Sequence, residues 1–80
     1  MQLDILTPEG NVFSGEVNSV QLPGIDGLFQ ILNNHAPLIS ALSPGKVKVE
    51  GASGKQVFQI KSGIVEVLQN KISVLTEGIG

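Results

Sequence analysis

The 80-residue sequence predicts an all-β domain, a sandwich or a barrel, on three observations. Short runs of valine, isoleucine and leucine alternate with polar residues at the two-residue period of a half-buried strand. Ten glycines and four prolines fall every few residues, so no window is long enough for a stable helix. These turn residues recur at the close spacing of multi-stranded β architectures.

Strands are expected at residues 3–6, 11–14, 17–22, 28–32, 38–42, 46–50, 56–61, 64–69 and 71–76. The clearest is Lys46-Val47-Lys48-Val49-Glu50, whose unbroken alternation turns Val47 and Val49 to the core and the lysines and Glu50 to water. Ala52-Ser53-Gly54-Lys55 separates it from Val57-Phe58-Gln59-Ile60, and a polar, glycine-containing loop between two such runs reads as a β-hairpin. Gln69-Asn70-Lys71 makes a second tight reversal. Gly24 and Gly27 are expected to supply positive φ in a loop between strands. Phe13, Phe29 and Phe58 lie in apolar strand patterns and are assigned to the core. With no internal repeat, low-complexity tract or linker, residues 1–80 are read as one domain.

Composition narrows the function classes. A chain that is 41% hydrophobic and 15% charged is too apolar for a disordered segment, and so small a core leaves some apolar surface outside. The absence of cysteine removes disulfide and thiolate-metal scaffolds. Asp4 and Pro8 interrupt the N-terminal stretch, so no signal peptide is expected. The apolar stretch 36–42, broken by Pro37 and Ser40, falls far short of the ~20 residues of a membrane-spanning helix. Residues 1–45 hold Asp4, Glu9, Glu16 and Asp26 and no lysine, while residues 46–80 hold five lysines against Glu50, Glu66 and Glu77. The two parts carry −4 and +2, and with no arginine there is no clustered positive potential for nucleic acid.

Reactive chemistry has few candidates. His35 is the only histidine, and any pairing of it with Ser14, Ser40 or Ser62 and with Asp4 or Asp26 is a guess that a serine-rich chain always permits. One histidine and two aspartates are thin supply for a zinc or iron site, so neither a catalytic nor a metal-binding centre is expected, and no cofactor. The stretch Gly51-Ala52-Ser53-Gly54-Lys55-Gln56 shares glycine and lysine with a phosphate-binding loop, but Val49 stands where the first glycine belongs and Gln56 where the Mg²⁺-binding hydroxyl belongs. Three phenylalanines in core patterns leave no stacking platform for single-stranded nucleic acid. A biotinyl or lipoyl carrier domain is a sharper alternative, with Lys55 at a hairpin tip. Its neighbours Gly54 and Gln56 differ from the Met-Lys-Met or Asp-Lys-Ala settings of those domains.

The blocks Leu3-Asp4-Ile5-Leu6-Thr7-Pro8-Glu9, Phe13-Ser14-Gly15-Glu16-Val17, Val20-Gln21-Leu22-Pro23-Gly24 with Gly27, and His35-Ala36-Pro37-Leu38 with Pro44-Gly45 occur in that order. They are joined by Ser62-Gly63-Ile64-Val65-Glu66-Val67 and Ile72-Ser73-Val74-Leu75. Together they closely resemble the N-terminal domain of ATP synthase ε subunits over nearly all 80 residues. Gln30 stands where that family usually has glycine, Asn33 where it often has proline, and Leu28 where some members carry an acidic residue. Family members commonly continue into a two-helix inhibitory domain, whereas this sequence stops at Gly80, so inhibition through those helices is not expected of it.

The resemblance implies a flattened two-sheet β-sandwich of about ten short, mostly antiparallel strands. It implies a non-catalytic rotor subunit, held against the γ shaft and resting by one loop-bearing end on the membrane c-ring, with no small-molecule substrate. The complex would place it peripherally, on the cytoplasmic face of a bacterial inner membrane or the equivalent organelle side. Carried over by position, Leu28, Asn33, Asn34 and His35 are expected to face the c-ring, and Thr7, Ser40 and Leu42 the γ subunit. Leu28, Ile39 and Leu42 are the candidates for apolar side chains left outside the core. A stand-alone carrier or protein-interaction module is the alternative reading.

Overall fold

The period-two runs fold as nine strands and no helix in the computed structural model, which describes residues Met1–Gly80. They are β1 (Gln2–Thr7), β2 (Gly10–Glu16), β3 (Ser19–Gly24), β4 (Gly27–Leu32), β5 (Leu38–Leu42), β6 (Gly45–Gly51), β7 (Gly54–Ile60), β8 (Gly63–Leu68) and β9 (Lys71–Thr76). All pairs are antiparallel except β1 with β9.

One hydrogen-bonded path runs β2-β1-β9-β8-β5-β3-β6-β7, with β4 on the opposite flank of β3. β5 meets β3 at the single pair Gly24↔Leu42, and there the path turns over into two layers, β2-β1-β9-β8-β5 and β4-β3-β6-β7. β5 and β6 both run antiparallel along β3, and the chain bends between them at Ser43-Pro44, where proline has no N–H to continue a ladder. A second crossing lies at Val17-Asn18. Val17 N–H donates to the Met1 carbonyl at 2.8 Å in one layer, and Asn18 N–H to the Glu50 carbonyl at 2.7 Å in the other. The strand expected at 17–22 therefore begins two residues later, because those two residues carry the chain between layers.

Alternation decides the core. Leu3, Ile5, Val65, Val67, Ile72 and Val74 point inward from one layer and Val20, Leu22, Ile31, Val47, Val49 and Ile60 from the other, forming one buried cluster. Val47 and Val49 are buried as their alternation predicts, with Lys46, Lys48 and Glu50 outside. Principal extents of 26 × 26 × 18 Å give the flattened shape of two sheets about 10 Å apart plus their outward side chains. The phenylalanines sit at the rim of this core and not at its centre. Phe13 on β2 and Phe58 on β7 meet edge to face, with ring centroids 5.7 Å apart, and close the side where the outermost strands of the two layers face each other.

The turns follow local chemistry. Gln69 and Asn70 both adopt positive φ, 50° and 62°, as a two-residue I′ hairpin turn requires. The β6–β7 turn is tighter than its sequence implies, since Gly51 already pairs with Gly54 across Ala52-Ser53. Gly27 takes φ 125°, but Gly24 does not adopt positive φ. Gly24 is needed for space, because a Cβ there would lie 2.8 Å from the Gly27 carbonyl oxygen and 2.9 Å from the Phe29 ring. At the chain's end the buried Thr76 hydroxyl lies 3.0–3.2 Å from the carbonyls of Lys61, Ser62 and Gly78. It anchors residues 78–80 beside the end of β7, where Ile79 bridges to Ile60.

Candidate functional site

Each layer has an outward face, and the two differ. Outward positions of β4, β3, β6 and β7 include Gln30, Gln21, Lys48 and Val57 in one cross-strand row and Leu32, Ser19, Glu50 and Lys55 in the next, a mainly polar surface with Leu32 and Val57 at its two edge strands and Leu28 beyond them on β4. The other layer presents Leu6, Leu75, Ile64 and Ala41 as a continuous row across β1, β9, β8 and β5, directly opposite one another in register. Ile39 on β5 and Leu68 on β8 widen that row into a patch, and Ile39 stands 72% exposed. Hydrocarbon on four adjacent strands of a hydrogen-bonded sheet is held in place by the sheet itself and has no cover within this chain.

Toward the starts of β1 and β9 and across to β2, the same face turns polar. Asp4 Oδ1 accepts hydrogen bonds from the Ser14 hydroxyl at 2.6 Å and the Gln2 amide at 3.1 Å, and Lys71 Nζ approaches Oδ2 at 3.8 Å. The Ser14 and Gln2 bonds, with the Lys71 charge, hold the Asp4 carboxyl below its ordinary value of 3.8. A carboxyl that is more acidic folded than unfolded contributes stability that is complete above the unfolded value and is lost as pH falls through the folded one. Urea denaturation between pH 6 and pH 2 is expected to show the parent losing stability below about pH 4. Asp4→Asn should lose less over the same interval, and equal slopes would show that Asp4 contributes nothing to the acid transition.

The residues singled out by position divide as follows. Leu28, on β4, is 68% exposed and lies beside the β3–β4 hairpin tip at Ile25-Asp26. Asn33, Asn34 and His35 follow the other end of β4, about 16 Å away at strand rise, so one end of the sandwich does not hold all four. At that second end the Asn33 side-chain oxygen accepts from the Met1 amino group at 2.9 Å. The Asn34 N–H donates to the Asn70 side chain at 2.8 Å, with Asn34 at φ 63°. His35 is exposed and its Nδ1 lies 2.7 Å from the Ala36 carbonyl, with no hydrogen bond to a serine or carboxylate.

Thr7 shares the Leu28 end. Its hydroxyl bonds the Gly10 carbonyl and the Glu9 N–H within the β1–β2 turn. Ser40 and Leu42 occupy the inward side of β5, opposite Val65 and next to Gly24. Leu42 is only 2% exposed, which corrects the expectation of an outward apolar contact there. The strand's period of two hides residues 38, 40 and 42 and turns Ile39 and Ala41 outward. Ile64, Leu68 and Leu75 were not singled out from the sequence, although apolar residues at both parities in Ile64-Val65-Glu66-Val67-Leu68 are the signal of a strand with two apolar faces. Lys55, weighed as a carrier lysine, sits on β7 and approaches Glu50 at 3.5 Å across the hairpin.

The sequence model of the family described as ATP synthase, Delta/Epsilon chain, beta-sandwich domain, matches residues 1–79. The chain belongs to that family. Among its delta/epsilon relatives, the ATP synthase epsilon chain of Chlorobium limicola is 51% identical over 79 residues, which cover 98% of this chain and 90% of that one. The epsilon chain of Chlorobaculum tepidum is 50% identical over 96% of this chain and 89% of its own length. The Nitratiruptor epsilon chain is 43% identical, and this chain spans 61% of it. The fold is also that of a chain in the Euglena gracilis mitochondrial ATP synthase structure of OSCP, F1 and c-ring, with a TM-score of 0.90 at 21% identity over 98% of this chain and 51% of that one. A chain in the Tetrahymena thermophila mitochondrial ATP synthase central stalk and c-ring superposes with a TM-score of 0.87 at 16% identity, over 100% of this chain and 65% of that one. The relatives at 51% and 50% identity are thus both epsilon chains of ATP synthase. The family match favours this assignment over a biotinyl or lipoyl carrier.

Proposed function

We propose that this delta/epsilon-family chain is a rotor subunit that seats the γ shaft on the membrane c-ring, so that ion flow is coupled to ATP synthesis without any reaction in this subunit. The apolar row Leu6-Leu75-Ile64-Ala41, widened by Ile39 and Leu68, carries the reading. A hydrocarbon face held on four hydrogen-bonded strands suits a permanent protein contact, and γ is the partner assigned to it. Torque passes without slippage only through stiff, well-seated parts. A close-packed core between two sheets resists compression and shear in the way this task requires.

The ring contact belongs to one end of the sandwich. We assign it to the β3–β4 hairpin, where Ile25 and Leu28 project, and this leaves Asn33, Asn34 and His35 at the opposite end. The subunit is then peripheral to the membrane, on the side where the c-ring meets the shaft. No helix of the chain is long and apolar enough to cross a bilayer. Co-expression of the chain with γ and c-ring from the same source tests this reading. Co-purification of all three in a fixed ratio is the expected result, and recovery of a γ–c-ring complex free of this chain would overturn it.

A further inference from the structure

Strands β2, β4 and β7 each pair on one side only. An open strand edge presents free N–H and C=O groups that a strand of another molecule can take up, and two of these edges are blunted. β2 is bulged at Val12, where its register with β1 shifts, and it ends on exposed Glu16. β7 carries Lys55, and residues 78–80 already occupy its open edge, with Lys61 N–H donating to the Gly78 carbonyl and Gly80 N–H to the Gln59 carbonyl. β4, Gly27-Leu28-Phe29-Gln30-Ile31-Leu32, has no charge, no proline and an unbroken register against β3.

Pro23 fixes which groups of β4 are free. It opposes Leu28, has no N–H, and its carbonyl accepts from Ser43 N–H at 2.8 Å on the far side of β3. Antiparallel pairs alternate between bonded and non-bonded, so Phe29 and Ile31 bond to β3, while Leu28, Gln30 and Leu32 aim their N–H and C=O groups at the open edge. The side chains of those three residues all point outward, with Leu28 68% and Leu32 53% exposed.

We propose that two copies of this chain pair through β4, antiparallel about a two-fold axis at Gln30, and so join their β4-β3-β6-β7 layers into one sheet. In this register Gln30 opposes Gln30, and Leu28 opposes Leu32 of the second copy on both sides of the axis, so every free backbone group of the three residues is bonded. The leucines cover one another across the seam, and Asp26 falls opposite Asn34, so no like charges meet. Moving the register to the next symmetric pairing in either direction sets Leu32 opposite Asp26 or Leu28 opposite Asn34, both turn residues. One strand per partner is a small interface, and the dissociation constant is expected on the order of 100 µM. The pairing is read from β4 alone and does not depend on the γ contact. It covers Leu28, so a chain seated on the c-ring through that residue is a monomer and the pair is a form of the free chain.

Sedimentation equilibrium from about 10 µM to about 1 mM tests the pairing, with the parent expected to pass from monomer to dimer. Gln30→Lys sets two cations face to face on the axis and should weaken the dimer at least about tenfold. Val57→Lys, on the β7 edge, should dimerise like the parent, and a dilute thermal melt shows that each variant is folded. Amide hydrogen exchange reads the register: Leu28, Gln30 and Leu32 should gain protection with concentration, whereas Phe29 and Ile31, bonded to β3 in both forms, should not change. A parent that stays monomeric to about 1 mM overturns the proposal. So does a dimer that Gln30→Lys leaves intact, or one whose new protection appears on β2 or β7, because the copies then meet elsewhere.

Discussion

Ile64→Asp is expected to abolish retention of the chain by γ, with a loss of affinity of at least about 100-fold. Ile64 lies at the middle of the cross-strand apolar row, between Leu75 and Ala41. An aspartate there would be stripped of water against hydrocarbon, at a cost of several kcal/mol, and each 1.4 kcal/mol is a factor of about ten in affinity. In the isolated chain the same side chain remains in water, so only local strand preference is disturbed, by up to about 1 kcal/mol. For a domain of this size that lowers the melting temperature by no more than about 8 °C. Binding to immobilised γ and a thermal melt of the free chain separate the two effects. Unimpaired binding by the variant would remove this face from the γ contact.

Leu22→Ala is expected to cost about 2–5 kcal/mol, whereas Leu28→Ala should stay within about 0.5 kcal/mol of the parent. The two leucines lie on paired strands, where Leu22 opposes Phe29 and Leu28 opposes Pro23, yet they face opposite ways. Leu22 is fully buried within the central cluster, and its removal leaves a cavity lined by residues that cannot all move in. Leu28 loses contact chiefly with water. Small domains rest on about 5–15 kcal/mol at most, so the first change takes a large part of the reserve while the second takes almost none. Urea titration of both variants measures the difference directly. Equal losses would mean that Leu28 packs into the core in solution, and the proposed ring contact at the β3–β4 hairpin would go with it.

Much of the fold was legible in the residue order because strand periodicity is local. Lys46 to Glu50 announces its buried and exposed sides with no knowledge of the rest of the chain, and Gln69-Asn70 announces its turn because asparagine tolerates the positive φ an I′ turn demands. Family blocks spread over the whole chain pointed to the right relatives. The site was less legible. Leu28, Ile39 and Leu42 were equally plausible as apolar residues left outside, and only two of them are. Ile64, Leu68 and Leu75 passed unremarked because a run that is apolar at both parities does not say which side finds a partner within the molecule.

The residue order by itself determined that this protein is built of short strands, where most of them reverse, and which family it joins. Each of these depends on neighbours a few positions apart or on the succession of blocks along the chain. Tertiary structure alone decided that the path turns over at Gly24↔Leu42, that Leu28 and His35 lie at opposite ends, and that one face carries a cross-strand apolar row. Those facts arise from pairings such as Leu6 with Leu75 and Ile39 with Glu66, which join residues far apart in sequence, and no local period encodes the partner across a ladder.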